Sequence, residues 1–263
     1  IVSSMESVLP AMAPVLGAWL ISVFGWPSTF WFVTLIALLT ILAFQRLTLP
    51  AAPPPDADRP SASVRYWRLL KKRRFMGYQV SHALAFTSLI IFVMASPYLL
   101  VTHLGHTTTA FVAMQATLIL VFVIFANLAG KLTDHFGIDK VIAAGAVSQM
   151  ISGVAFLGVV VLRPEWLGPV TFILTMLPMV IGLGFRSGPG FARAMAFCGN
   201  HTGSAGGLMM FTAMGMSAVG TQLVAPYLED GALALALAIV VLCAISLLLL
   251  PIAMRPGPGD EPA

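Results

Sequence analysis

Charge is scarce in this chain. Asp, Glu, Lys and Arg together make up 9% of 263 residues, 59% are hydrophobic, and the mean hydropathy is +0.94. A water-soluble domain of this length has too little interior to hide that much apolar side chain, so soluble enzymes and soluble binding modules are excluded as classes. Cysteine is nearly absent. Cys198 and Cys243 alone build neither a disulfide framework nor a metal cluster and read as small buried hydrophobes. Strict apolar–polar alternation is missing too, and the apolar runs are longer than a barrel strand needs. There is no Ser/His/Asp order with a nucleophile elbow, no metal-spaced His/Cys set and no phosphate-binding loop, so the sequence calls for no enzyme chemistry, no cofactor and no metal.

What the chain has is apolar length. A bilayer core of about 30 Å takes about 20 apolar residues per helix. Eight stretches qualify, at about 4–24, 29–47, 76–101, 109–129, 140–162, 168–186, 204–227 and 232–253. They predict an all-α integral membrane protein whose main partner is the lipid bilayer. The net charge of +4 follows from topology and points to no nucleic acid. Arg46, Arg59, Arg65, Arg68, Lys71, Lys72, Arg73, Arg74, Lys131, Lys140, Arg186, Arg193 and Arg255 fall on one side of the predicted spans, and Arg163 alone on the other. The positive-inside rule then places the 48–75 loop, the 130–140 turn, the 187–203 loop and the C-terminus in the cytoplasm.

The segment 48–75 is the one long linker. Its first half is rich in Pro, Ala and Asp and predicts a disordered or extended chain. Its second half, "VRYWRLLKKRRF", interleaves Tyr66, Trp67, Leu69 and Leu70 with six basic residues, the pattern of an interfacial helix on anionic headgroups or of a topological anchor. Two predicted helices precede the linker and six follow it. The expected organisation is residues 1–47 as the last two helices of an N-terminal half, 48–75 as cytoplasmic linker, 76–255 as a complete six-helix half, and 256–263 as cytoplasmic tail. On that reading four further N-terminal helices are missing, and the intact bundle has twelve.

One charged turn interrupts the oil. "GKLTDHFGIDK", residues 130–140, lies between two of the predicted spans. The spacing Gly130, Leu132, Asp134, Gly137 resembles the signature loop of the major facilitator superfamily, G-x-L-x-D-x-x-G, with His135 and Ile138-Asp139 where basic residues are usual. In physical terms Gly130 lets helix ends approach, Gly137 tolerates positive φ, Asp134 can cap a neighbouring helix, and Lys140 holds the next helix at the surface. "PAMAPVLGAW" with the following Gly-Trp is similar to the fifth-helix motif of drug/proton antiporters, and makes Pro10, Pro14 and Gly17 candidates for a bendable helix interface. "FVMASPYLL" and "GSAGGLMMFTAMGMSAVGTQL" look like the seventh and eleventh helices of the Bcr/CflA multidrug efflux group.

The resemblance implies a major-facilitator-type helical bundle with eight of twelve helices present, in the bacterial inner membrane. It implies proton-coupled efflux of drugs or other small lipophilic compounds by rocking two halves around a midplane site. Polar and polarisable residues on the predicted helix faces supply cavity candidates: Ser88, Phe92, Ser96, Gln115, Met210, Met214 and Gln222. Glu6 and His82 are the proton-relay candidates, being the acid and the imidazole set within apolar stretches. Arg186 and Arg193 read as surface anchors at the end of a span. Two alternatives stay open: an importer or exporter of one specific metabolite on the same fold, and a membrane structural protein that transports nothing.

Overall fold

The computed structural model describes residues 16–46 and 61–255, apart from positions 18, 22 and 200. Among these residues the chain is helical and has no strand. Seven helices are long and apolar enough to cross a membrane, and they match seven of the eight predicted spans. The eighth, at about 4–24, lies largely outside the described residues, as do Glu6, Pro10, Pro14, the first half of the linker and the 256–263 tail.

Helix α1 (Pro27–Arg46) follows a turn at Gly25, and none of its residues is buried. Helix α2 (Ala62–Lys71) is the amphipathic segment of the linker, and Lys72 separates it from α3 (Arg73–Pro97). Then come α4 (Thr108–Phe136), α5 (Ile138–Leu162), α6 (Pro169–Met195), α7 (Thr202–Val224) and α8 (Leu233–Met254). In hydrocarbon no water can satisfy a peptide group, so these apolar runs close every N–H and C=O internally as helices.

Proline sets the local detail. Pro97 cannot donate to the carbonyl of Val93, four residues back. The Ser96 hydroxyl donates to that orphaned carbonyl instead, at 3.1 Å, and the backbone then widens into a π-helical turn over Tyr98–His103.

Two helix ends differ from the sequence expectation. The charged residues from Lys131 to His135 belong to the last turns of α4, and the turn itself shrinks to Gly137 at φ 90°. Helix α6 runs on to Met195 through Ser187-Gly188-Pro189-Gly190, which hydropathy alone assigns to a loop. Polar residues do not end a helix once its apolar part is anchored by packing.

The six helices α3–α8 form two interlocked triplets. The first helix of one triplet, α3, packs along α7 and α8; the first helix of the other, α6, packs along α4 and α5. Contacts between α3 and α6 and between α5 and α8 close the unit. Since α3 starts at the end of the bundle rich in basic residues and α6 starts at the opposite end, the triplets form an inverted repeat. Small residues at equivalent crossings let the backbones meet. A Cβ added at Gly182 (α6) would overlap the Gly145 carbonyl (α5), and one at Gly77 (α3) would stand 2.6 Å from the Ala253 Cβ (α8). Likewise a Cβ at Gly184 would come within 2.9 Å of the Ala126 nitrogen on α4, and one at Gly220 within 2.8 Å of Ile91 on α3.

The core has two apolar clusters. One holds Phe92, Leu99, Phe156, Phe172, Met176 and Ile239; the other, nearer the basic end, holds Leu69, Phe75, Tyr78, Phe197, Met209 and Leu250. Along α3, α5, α6 and α8 a buried polar set separates them: Ser81, Gln149, Arg186 and Ser246.

Candidate functional site

Arg186 is the centre of that polar set and the largest fully buried side chain, at 1% exposure. Its stem fits because α5 and α6 touch through glycine: a Cβ at Gly145 would lie 2.6 Å from Arg186 Cγ. The guanidinium reaches three other helices. Nη1 donates to Gln149 Oε1 on α5 at 2.8 Å and to Ser246 Oγ on α8 at 3.0 Å, and Nη2 donates to Ser81 Oγ on α3 at 2.6 Å. Ser81 and Ser246 are themselves locked, each hydroxyl donating to the other's carbonyl at 2.7 Å. Arg186 Nε is buried without a partner. Neither ion pair among the described residues includes Arg186. The expectation that Arg186 is a surface anchor is therefore corrected. It lies four residues, about 6 Å, beyond the midpoint of α6. Removing it from the loop tally leaves the charge bias between the two sides intact.

The second correction concerns the face of α3. Ser81, Ala85, Ser88, Phe92 and Ser96 do share one face, but all five are buried inside the six-helix unit. Ser88 Oγ donates to the Ala85 carbonyl at 2.7 Å and touches Met179 Sδ, Phe92 packs against Phe172 with the rings tilted by 39°, and Ser96 serves Pro97 as described. Ser88, Phe92 and Ser96 are packed between helices of this unit. The candidates on α7 behave differently. Met210 and Met214 are 59% and 54% exposed, Gln222 is exposed beside them, and Gln115 on α4 is half-buried. Gly17 has open space around it. His82 is half-exposed as a residue, but its Nδ1 is buried, has no partner, and lies 3.6 Å from where a Cβ on Gly190 of α6 would be.

At the basic end a clamp ties α3, α5 and α6 together. Arg193 donates from Nε and Nη2 to the two oxygens of Asp139 at 2.9 and 2.7 Å, and Tyr78 donates its hydroxyl to the same carboxylate at 2.7 Å. The Arg193 guanidinium stands over the rings of Phe197 and Tyr78, and Lys72 Nζ donates to the Phe197 carbonyl. In the 130–140 segment it is thus Asp139, in the first turn of α5, that engages a partner. Asp134 and Lys140 are exposed, Gly130 has no side-chain neighbour to avoid, and α5 carries no side-chain cap.

A family model described as Major Facilitator Superfamily matches residues 1–221 of this chain. The chain belongs to the major facilitator superfamily. Two relatives sharpen the placement. One is a bicyclomycin resistance protein homolog from Haemophilus influenzae, 24% identical over 258 residues, which cover 91% of this chain and 60% of the relative. Another is the chloramphenicol resistance protein CraA from Acinetobacter baumannii, 23% identical over 188 residues, or 70% of this chain and 45% of the relative. The chain thus spans about half the length of the curated relatives it matches. Membership makes it a multi-pass membrane protein of a transporter family, which handles small-molecule substrates in a lipid bilayer.

Sequence reasoning missed Arg186 as a buried group and missed the Asp139–Arg193 pair. A signal for the first was present. Gly145 and Gly182 remove bulk where α5 and α6 meet around one arginine, and Ser81, Gln149 and Ser246 are polar residues deep in otherwise apolar spans.

Proposed function

We propose that this major facilitator is a secondary active exporter of drugs or other small lipophilic compounds, driven by protons, in a bacterial inner membrane. Its six-helix unit α3–α8 acts as one of two rocking halves, with the basic end and the C-terminus toward the cytoplasm. The observation that carries this reading is the unpartnered face of α7. Met210, Met214 and Gln222 are exposed on α7, and a thioether face with an amide adapts to varied lipophilic solutes. The names of both relatives, each a drug-resistance protein, agree with it. Glu6 and His82 are the proposed proton carriers, and Gly130, Asp134, Gly137 and Lys140 the proposed gating loop.

The test is accumulation of chloramphenicol in a drug-sensitive bacterium producing the full-length protein. We expect accumulation to fall and a protonophore to restore it. Unchanged accumulation with the protein verified in the membrane rejects efflux, and a fall that survives the protonophore rejects proton coupling. Because Cys198 and Cys243 are both buried, single cysteines at positions 210, 214 and 222 report access cleanly. Maleimide labelling there should be slowed by the exported drug.

A further inference from the structure

We infer that Arg186 and His82 form a carboxylate-binding site within the membrane-spanning unit, one that deepens the transporter reading by naming an acidic ligand group. Three observations converge on it. Arginine carries five N–H donors in a planar fork. Three hydrogen bonds hold Arg186 to Gln149, Ser246 and Ser81, and buried Nε is left with none. The donors not accounted for are Nε–H and one N–H of Nη2, the pair that matches the two oxygens of a carboxylate side-on.

The second observation is His82. It follows Ser81, whose hydroxyl is 2.6 Å from Arg186 Nη2, and its buried Nδ1 also lacks a partner. The ring packs over Gly190, one turn and about 6 Å along α6 from Arg186. The two unpartnered polar atoms come from two helices and lie about one turn apart along α6, and a carboxylate between them would accept from Arg186 Nε and, in the tautomer protonated at Nδ1, from His82. The third observation is charge. An arginine fixed near the middle of a span costs about 3 kcal/mol or more unless it is compensated, and the groups around this one are neutral.

Access is built in as well. His82 is partly exposed and packs over Gly190, while Pro189 cannot donate to the carbonyl of Phe185, which loosens α6 immediately beyond Arg186. The carboxylate has two possible sources: a transported acid, which rests on the transporter reading, or an acidic side chain elsewhere in the full-length protein.

The experiment measures thermal stability of the full-length protein in detergent, without any gradient, so its outcome is independent of whether the protein exports drugs. The probes are 2-naphthoate and its uncharged methyl ester. We expect naphthoate to raise Tm by about 3 °C at saturation and the ester to leave it unchanged. Arg186→Gln should abolish the shift. Arg186→Lys keeps the charge but not the two-donor edge and should weaken naphthoate about tenfold. His82→Ala should weaken it less. If naphthoate gives no shift, the second source is tested by neutralising each carboxylate within the membrane spans. The proposal stands if one such change and Arg186→Gln each lower Tm and their double variant is no worse than either. It is overturned if the naphthoate shift survives Arg186→Gln, or if there is no shift and no acid couples to Arg186.

Discussion

A pair of glycines sets how closely α5 and α6 approach, and so whether Arg186 has a place. Gly182→Ala forces its new methyl against the Gly145 carbonyl and within 2.7 Å of Gln149 Cγ. Overpacking of that kind costs about 1–3 kcal/mol, and Tm of the purified protein should drop accordingly. Gly158→Ala, on the same helix pair but with open space around it, is the control and should be neutral or slightly stabilising. The clamp at the basic end gives a second prediction. Asp139→Asn loses the two-point contact to Arg193, and since the side chains are 26% and 37% exposed the expected loss is about 1–2 kcal/mol, read as Tm. Tyr78→Phe removes one hydrogen bond to the same carboxylate and should cost less. An outcome in which Tyr78→Phe is the more damaging variant shows that the tyrosine hydroxyl, not the Arg193 contact, holds the carboxylate in place. At this scale little was legible in the sequence. An arginine near the end of an apolar run looks the same whether it faces water or three helices, because the acceptors it uses lie between 37 and 105 residues away.

At the scale of helices the sequence was far more readable, since apolar length is a local property and the bilayer fixes what it must be. The seven described spans fall where hydropathy puts them. Their ends were less legible, because a helix continues into water for as long as backbone hydrogen bonding and a few contacts support it. Helix α4 keeps its last charged turns until Gly137, whose positive φ stops it. Helix α2 carries the third prediction. Leu69 is buried against the bundle while Val64, Trp67 and Leu70 form an outward stripe flanked by Arg65, Arg68 and Lys71. Such a helix should lie at the headgroup level of an anionic leaflet. An environment-sensitive dye on a cysteine at position 70 should emit as in an apolar medium in vesicles containing anionic lipid, and closer to water in vesicles of zwitterionic lipid alone. Water-like emission in both removes the interfacial role and leaves α2 as a plain tether.

For the whole molecule, the inverted repeat supplies a stability prediction. Helix α1 buries none of its residues, whereas α3–α8 interlock through both core clusters and the arginine set. Residues 61–255 produced alone should therefore insert and unfold cooperatively in detergent. A chain that carries α1 ahead of this unit should melt within about 1 °C of the 61–255 fragment. A broad, non-cooperative transition of the 61–255 fragment means the unit depends on what surrounds it. Residue spacing predicted six helices in this unit but not which of them touch, because the exchange of first helices between triplets is a property of three-dimensional closure.

That exchange has a consequence for how the protein is made. Ser81 on α3 bonds Ser246 on α8 across 165 residues of chain, and Gln79 waits for Thr212 on α7 across 133. At about 5–20 residues per second, the ribosome takes roughly 10–30 s to deliver those partners. Throughout that interval α3 is already in or near the membrane with Ser81 and Gln79 without their native partners. The insertion machinery must shelter the first helix of the unit until the last one arrives.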